Sequence, residues 1–174
     1  MRKVHLGCGS NYIDGWINID IDSPLADIAA DLRHPLPFED ASVDLVFNEH
    51  FLEHLSREQG LAFLRECRRI LKPGGMLRIS TPDLRWLCAQ YVCGQLDEWR
   101  DVGWLPDTSC SLMNEGMRLW EHQFVYDRDE LQRALGRAGF GTMVHVPHRR
   151  SAIAELTELE CRPYHHELIV EATV

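Results

Sequence analysis

The chain has 174 residues, 45% hydrophobic and 26% charged, which suits one domain built on one core. Eighteen basic residues against 27 acidic leave a formal charge of −9, and that disfavours a broad surface tracking nucleic-acid phosphates. No apolar run is long enough to span a bilayer, and Met1-Arg2-Lys3 leads into a strand pattern rather than a secretory signal, so a cytoplasmic location is expected.

In chain order, Val4 to Leu6 reads as a first strand ended by Gly7-Cys8-Gly9, and Trp16 to Ile21 as a second. Only Ser10 to Gly15 separate the turn from that second run, too few for the helix that usually joins parallel strands. Asp27 to Ala30 reads as a short third strand leading into Asp31-Leu32, and the proline-spaced RHPLPFEDAS as a loop. Val43 to Phe47 is a buried strand with polar residues after it. Ser56 caps a predicted helix to about Leu71, with Leu61, Leu64, Cys67 and Leu71 as its apolar stripe, and Lys72-Pro73-Gly74-Gly75 stops it. MLRIST is the next strand, and Asp83 to about Leu96 reads as helical. The stretch from Asp97 to Phe124 is irregular and holds three of the five tryptophans. A helix over Asp127–Ala138 stopped by Gly139, a strand in TMVHVP, a short helix over Ser151–Glu160 and a final strand in ELIVEAT complete the pattern. Strands alternating with helices imply an α/β fold with a mostly parallel sheet, and the short link between the last two strands suggests an antiparallel edge.

Ligands of open α/β sheets bind at the carboxyl ends of the strands. Those ends carry Gly7, Cys8, Gly9 and Ser10, then Asp20 and Asp22, then Asp31 and Leu32, then Asn48, Glu49 and His50. Glycines admit a ligand close to the backbone, and carboxylates suit ribose hydroxyls and an exocyclic amine. No Lys or Arg sits in the turn and the GxxxxGK[ST] phosphate loop is absent, so the set favours a nucleoside without a phosphate chain. The six cysteines, Cys8, Cys67, Cys88, Cys93, Cys110 and Cys161, form no CxxC pair and match no zinc spacing. They read as reduced side chains, and no metal requirement is expected.

VHLGCGS, INIDID, ADLRHPLPFEDASVDLVFNEHFLEHL and ILKPGGMLRISTP, in this order, resemble the class I S-adenosylmethionine-dependent methyltransferases over Lys3 to Pro82. HQFVYDRDELQRALGRAGF is similar to a later helix of that family. The resemblance implies a Rossmann-like seven-stranded sheet whose last strand is antiparallel, in a single domain over 1–174. It also implies S-adenosylmethionine as cofactor and S-adenosylhomocysteine as product. By position, Gly7, Cys8 and Gly9 would pass under the methionine part. Asp20, with Asp22 as substitute, would take the ribose hydroxyls. Asp31 would meet the adenine amine with Leu32 packing nearby, and Asn48 would contact the methionine end. The departure is the first crossover, where the family has a helix and this chain is reduced to a loop. That is a feature of a compact subgroup of predicted methyltransferases, some found among polysaccharide-biosynthesis proteins. The thinly covered sheet face should then be closed by another element or by a second subunit, as in a homodimer.

Base candidates near the strand ends are Glu49, His50 and His54, with His122 further along; Glu53 and His54 read first as orienting the helix start. Residues 83–122 interrupt the regular pattern and are expected to cover the substrate, with Trp86, Trp99, Trp104 and Trp120 either lining an acceptor pocket or forming a satellite core. His122 and Tyr126 stand where a side chain could reach the crevice, and His165-His166 read as exposed. The leading expectation is methyl transfer to a small-molecule or sugar-linked acceptor. The alternative is a cofactor-binding module without transfer activity, acting as a subunit or regulator. A nicotinamide oxidoreductase fits less well, because the third glycine of GxGxxG is absent.

Overall fold

Short apolar runs closed by glycine, aspartate or other polar residues form strands β1 (Lys3–Leu6), β2 (Ile17–Asp20), β3 (Ile28–Ala29), β4 (Val43–Glu49), β5 (Leu71–Thr81), β6 (Met143–His145) and β7 (Leu168–Thr173). They make one sheet in the order β3-β2-β1-β4-β5-β7-β6. The first five pair in parallel, and β7 runs antiparallel to both β5 and β6. The computed structural model describes residues 1–97, 100, 103–162 and 166–174. Trp99 and His165 of the sequence reading lie outside them.

The helices are α1 (Arg57–Ile70), α2 (Leu84–Cys93), α3 (Ser109–Arg118) and α4 (Arg128–Ala138). Ser56 caps α1 in a reciprocal box with Gln59, and Gly139 ends α4 in the left-handed region. The buried stripe of α1, Phe63, Leu64, Cys67 and Ile70, meets that of α4, Leu131 and Leu135, over the strand residues Val4, Leu6, Ile19, Val46, Leu77, Ile79 and Val170. Because side chains alternate along strands, the intervening residues face the other way. There Trp16, Leu45 and Phe47 pack with Leu156 and Leu159.

That second face has no helix from the first crossover: among the described residues, 7–16 form turns and loop only. Asn18, fully buried, holds the loop in place of a helix. Its Nδ2 donates to the carbonyls of Ile13 and Trp16, both at 3.0 Å, and its Oδ1 accepts from Ile13 N–H at 3.0 Å. The expected cover comes from within the chain, where Leu156 and Leu159 close over Trp16 and Phe47. The helix predicted over 151–160 is only a 3-10 turn at Ala154–Leu156. Glu160 instead reaches into the sheet to Arg78 Nε at 2.6 Å, and Arg78 Nη1 lies 2.6 Å from Glu171. Glu160 is thereby held by charge rather than by a helical repeat, while Glu171 is already placed by the pairing of β7 with β5.

Two further departures are local. Helix α1 ends at Ile70, just before Lys72-Pro73-Gly74-Gly75 as expected, but that stretch is a bulge inside β5: Val43 pairs with Leu71, whereas Leu45 pairs with Met76. Helix α3 falls within the stretch read as irregular. It packs on α2 around Leu87, Trp104 and Leu112, and Gly116 leaves room for the Leu87 side chain. No helix among the described residues is long and apolar enough to cross a membrane.

Candidate functional site

The carboxyl ends of β1, β2 and β4 meet in one place because these strands are neighbours in the sheet. Gly7 and Gly9 both have positive φ, at +73° and +50°. The N–H groups of Gly7 and Cys8 donate to the carbonyl of Ile19 at 2.8 and 3.1 Å, so the turn is bonded to β2. Gly9 N–H donates to Asp20 Oδ2 at 2.9 Å, and the N–H groups of Asp22 and Ser23 donate to Oδ1 at 2.9 and 3.0 Å. Burial pushes the Asp20 carboxyl up, but these backbone bonds outweigh it and hold the group ionised, below the usual range. A side chain on Gly9 would meet nothing within 4 Å, so the backbone there is open to a ligand. At Gly7 a Cβ would strike Phe51, so that glycine serves packing. The Cys8 thiol is buried, and its pKa is raised by that burial first and then by the charge of Asp20.

Asp31 stands apart from this cluster in its bonding. Arg33 grips its carboxylate through Nε at 2.8 Å and Nη2 at 2.7 Å, and holds its pKa down to about 2. Leu32 beside it is buried. Asn48 is fully buried at the end of β4. Its Nδ2 donates to Leu6 O at 2.8 Å, while its Oδ1 has no hydrogen-bond partner. An unpartnered buried acceptor, an open glycine and an ionised carboxylate together fit a ligand rich in donors, such as a ribose diol and an ammonium group.

Glu49 points to the loop-covered side. It accepts from Cys161 N–H at 3.1 Å, from the Cys161 thiol at 3.2 Å and from Arg162 N–H at 3.3 Å, which clamps that segment. His50, at φ +49°, lies between two carboxylates: Nδ1 is 3.0 Å from Glu53 Oε1, and Nε2 is 3.8 Å from Glu167 Oε1. Burial lowers its pKa, but Glu167 and Glu53 together outweigh this and raise it to about 9, so the ring is protonated at neutral pH.

Glu53 is the hub that the sequence reading assigned to a helix start. It is fully buried, its Oε2 accepts from Thr81 Oγ1 at 3.0 Å, and its backbone carbonyl accepts from Gln123 and Phe124. His122 reaches it from the far end of the cap, with Nε2 4.0 Å from Glu53 Oε1 and its ring edge-on to His54 at 5.0 Å. One carboxylate oxygen and two ring nitrogens of Glu53, His54 and His122 thus lie within 4.8 Å of one another. In sequence Glu53 and His122 are far apart, so no spacing links them. The string Glu53-His54 after a strand end was the available signal.

The tryptophans divide. Trp104 is core, its Nε1 bonded to Glu115 at 2.7 Å, and Trp86 stacks on His166 at 3.7 Å. Trp120 is 52% exposed and packs edge-on against Trp104. Tyr126 is buried over Gly60 of α1 rather than in the crevice.

Residues 4–79 match the family described as a methyltransferase domain. A "Probable S-adenosylmethionine-dependent methyltransferase" of Mycolicibacterium smegmatis is 46% identical over 98 residues, covering 46% of this chain and 37% of the relative. A ubiquinone biosynthesis O-methyltransferase of Nitrobacter winogradskyi is 28% identical over 162 residues, covering 81% of this chain and 57% of the relative. The match therefore spans less than two thirds of either relative's own length. Among solved structures, an S-adenosylmethionine-dependent methyltransferase of Thermotoga maritima superposes with a TM-score of 0.60 at 19% identity, over 99% of this chain and 81% of that one. At that identity the likeness speaks for the fold.

Proposed function

We propose that the chain is a class I S-adenosylmethionine-dependent methyltransferase, a reading supported by the methyltransferase-domain match over residues 4–79, and that it transfers a methyl group to a small-molecule or sugar-linked acceptor. The observation that carries the reading is the junction of Gly9 with Asp20, an open glycine bonded to an ionised carboxylate at adjoining strand ends. When bound, S-adenosylmethionine supplies a methyl group already activated on a sulfonium, so the protein mainly has to align an acceptor.

In this reading Asp20 accepts the ribose hydroxyls with the lone pairs left over from its three backbone donors. The open backbone at Gly9, with Gly7 and Cys8 holding the turn to β2, takes the methionine part. Asn48 Oδ1 accepts from the ammonium group. Asp31 shares its carboxylate between Arg33 and the adenine amine, with Leu32 against the ring. His50 and His122 flank Glu53 on the acceptor side. A protonated His50 suits holding an electron-rich acceptor more than removing its proton, and Glu49 acts by fixing residues 161–162.

Calorimetric titration with S-adenosylmethionine and S-adenosylhomocysteine, with NAD as control, tests the site. Saturable binding of the first two is expected, and Asp20→Asn should weaken it by about 2 kcal/mol, roughly thirtyfold. Unchanged affinity in a folded variant would sink the ribose assignment. A second reading, a binding module without transfer, draws on His50, whose charged ring has no lone pair left to take a proton. Formation of S-adenosylhomocysteine with a panel of hydroxylated and sugar-linked acceptors decides between the two.

A further inference from the structure

Glu53 Oε1 and His122 Nε2 face each other across 4.0 Å in a buried setting, yet they form no hydrogen bond. The other ring nitrogen of His122 explains why. Nδ1 lies 3.1 Å from the carbonyl oxygen of Gly116, which can only accept, so the ring proton sits on Nδ1. Nε2 is then a bare lone pair aimed toward a carboxylate oxygen, two electron-rich atoms with no hydrogen between them. His54, its ring edge-on to His122 at 5.0 Å, brings a third ligand atom within 4.8 Å of the other two.

We propose that Glu53, His54 and His122 bind a divalent transition-metal ion of the zinc class at the acceptor side of the crevice. Two imidazoles and one carboxylate are the donor set that zinc and its neighbours take, and three protein ligands leave a position open. The surroundings are those of metal ligands: the free N–H of His122 is anchored on a backbone carbonyl, and the second oxygen of Glu53 is held by Thr81 Oγ1 at 3.0 Å. His50, with Nδ1 3.0 Å from Glu53 Oε1, stands on the other side of the ligating oxygen. Tetrahedral ligand atoms around zinc lie about 3.3 Å apart, so the three side chains must draw in by no more than about 1.5 Å. The site joins the end of β4 to the returning strap at residues 119–126. A metal there would tie the cap to the sheet and present its open position to an oxygen of the acceptor; that last role rests on the methyltransferase reading, and the metal site itself does not.

The test is titration of the full chain, stripped with chelator, with Zn²⁺ by calorimetry and with Co²⁺ by visible absorption. One equivalent should bind with a dissociation constant below about 10 µM, and the Co²⁺ form should show the intense visible bands of a four- or five-coordinate site. Glu53 variants risk unfolding, because that residue also holds Thr81 and the strap. The decisive variants are therefore His54→Ala and His122→Ala, each checked by circular dichroism. Each should weaken Zn²⁺ binding at least about tenfold. Absence of one-equivalent binding in the parent chain, or undiminished binding in both folded variants, overturns the proposal. S-adenosylmethionine titrated into the stripped chain reports separately: its failure would undo the proposed function and leave the metal result standing.

Discussion

The two faces of the sheet solve the same problem by different chemistry. One is covered by α1 and α4, and its core of Val4, Leu6, Ile19, Val46, Leu77 and Val170 is almost wholly apolar. The other has loops for cover, and the residues paired in register across its middle are Asn18, His5, Phe47, Arg78 and Glu171. Four of those five are polar or charged, and all five are buried. A helix satisfies its own backbone and offers apolar side chains to the sheet. A loop cannot, so the sheet must supply the hydrogen bonds that the loop lacks. Asn18 does this for residues 13–16, and Arg78 does it for the carbonyl of Arg150 while pairing with Glu160. The face that looks less stable is thus the one with more specific bonds, and it is also the face that carries the Gly9 turn.

Mutations should separate the two faces, and the largest effect is expected at Arg78. Arg78→Ala would strand Glu160 and Glu171 in the interior, and should cost about 3–5 kcal/mol in urea unfolding. A loss below about 1 kcal/mol would mean that the loop cover does not depend on this ion pair.

Acid should act on the same face. Burial lowers the pKa of His5 to about 4, against 6.5 for the free group. The unfolded chain therefore binds the proton first as pH falls. The stability tied to a neutral His5 is fully present above about pH 6.5 and is lost progressively down to about pH 4, for a total of about 3 kcal/mol. Unfolding free energies of the parent and His5→Gln, compared at pH 7.5 and 4.5, should converge or cross; parallel curves would remove His5 from the account.

Asn18→Ala should cost about 2 kcal/mol and also weaken S-adenosylmethionine binding, because the loop it anchors continues into the turn at Gly9. On the helix-covered face, Ser56→Ala should remove the capping box of α1 for about 1 kcal/mol and leave cofactor affinity unchanged. If the Ser56 variant lost cofactor affinity as well, the two faces would not be energetically separate.

The same division governs what could be read from the sequence. Elements that bury one face of a repeating structure were legible: the start of α1 behind Ser56, the span of α4 from Asp127 to Gly139, and the five parallel strands. Of the stripe expected on α1, Leu64 and Cys67 are buried in it, Leu61 is only partly buried, Leu71 opens β5, and Phe63 and Ile70 take the remaining places. The 151–160 stretch was not, because its conformation is decided by Arg78, more than seventy residues earlier. Helix α3 was missed although Thr108 and Ser111 form a capping box, since Ser111 stands where a Glu or Gln is usually sought and Gly116 sits inside the helix. Of the candidate site, Gly9, Asp20 and Asn48 were legible as candidates because they stand at or just beyond the carboxyl ends of β1, β2 and β4. Glu53 and His122 meet only because the cap returns over α1, and nothing periodic in the sequence encodes that return.

The shortened first crossover also changes the entropy of assembling the sheet. Parallel partners are usually far apart along the chain, yet Val4 pairs with Ile17 only thirteen residues on, whereas Leu77 must find Ala172 across ninety-five. By the logarithmic scaling of loop closure, the nearer pairing is cheaper by about 2 kcal/mol. The turn at Gly7 to Gly9 is thereby built on a contact that is close to local, and it can be in place before the distant β7 strand arrives to complete the sheet.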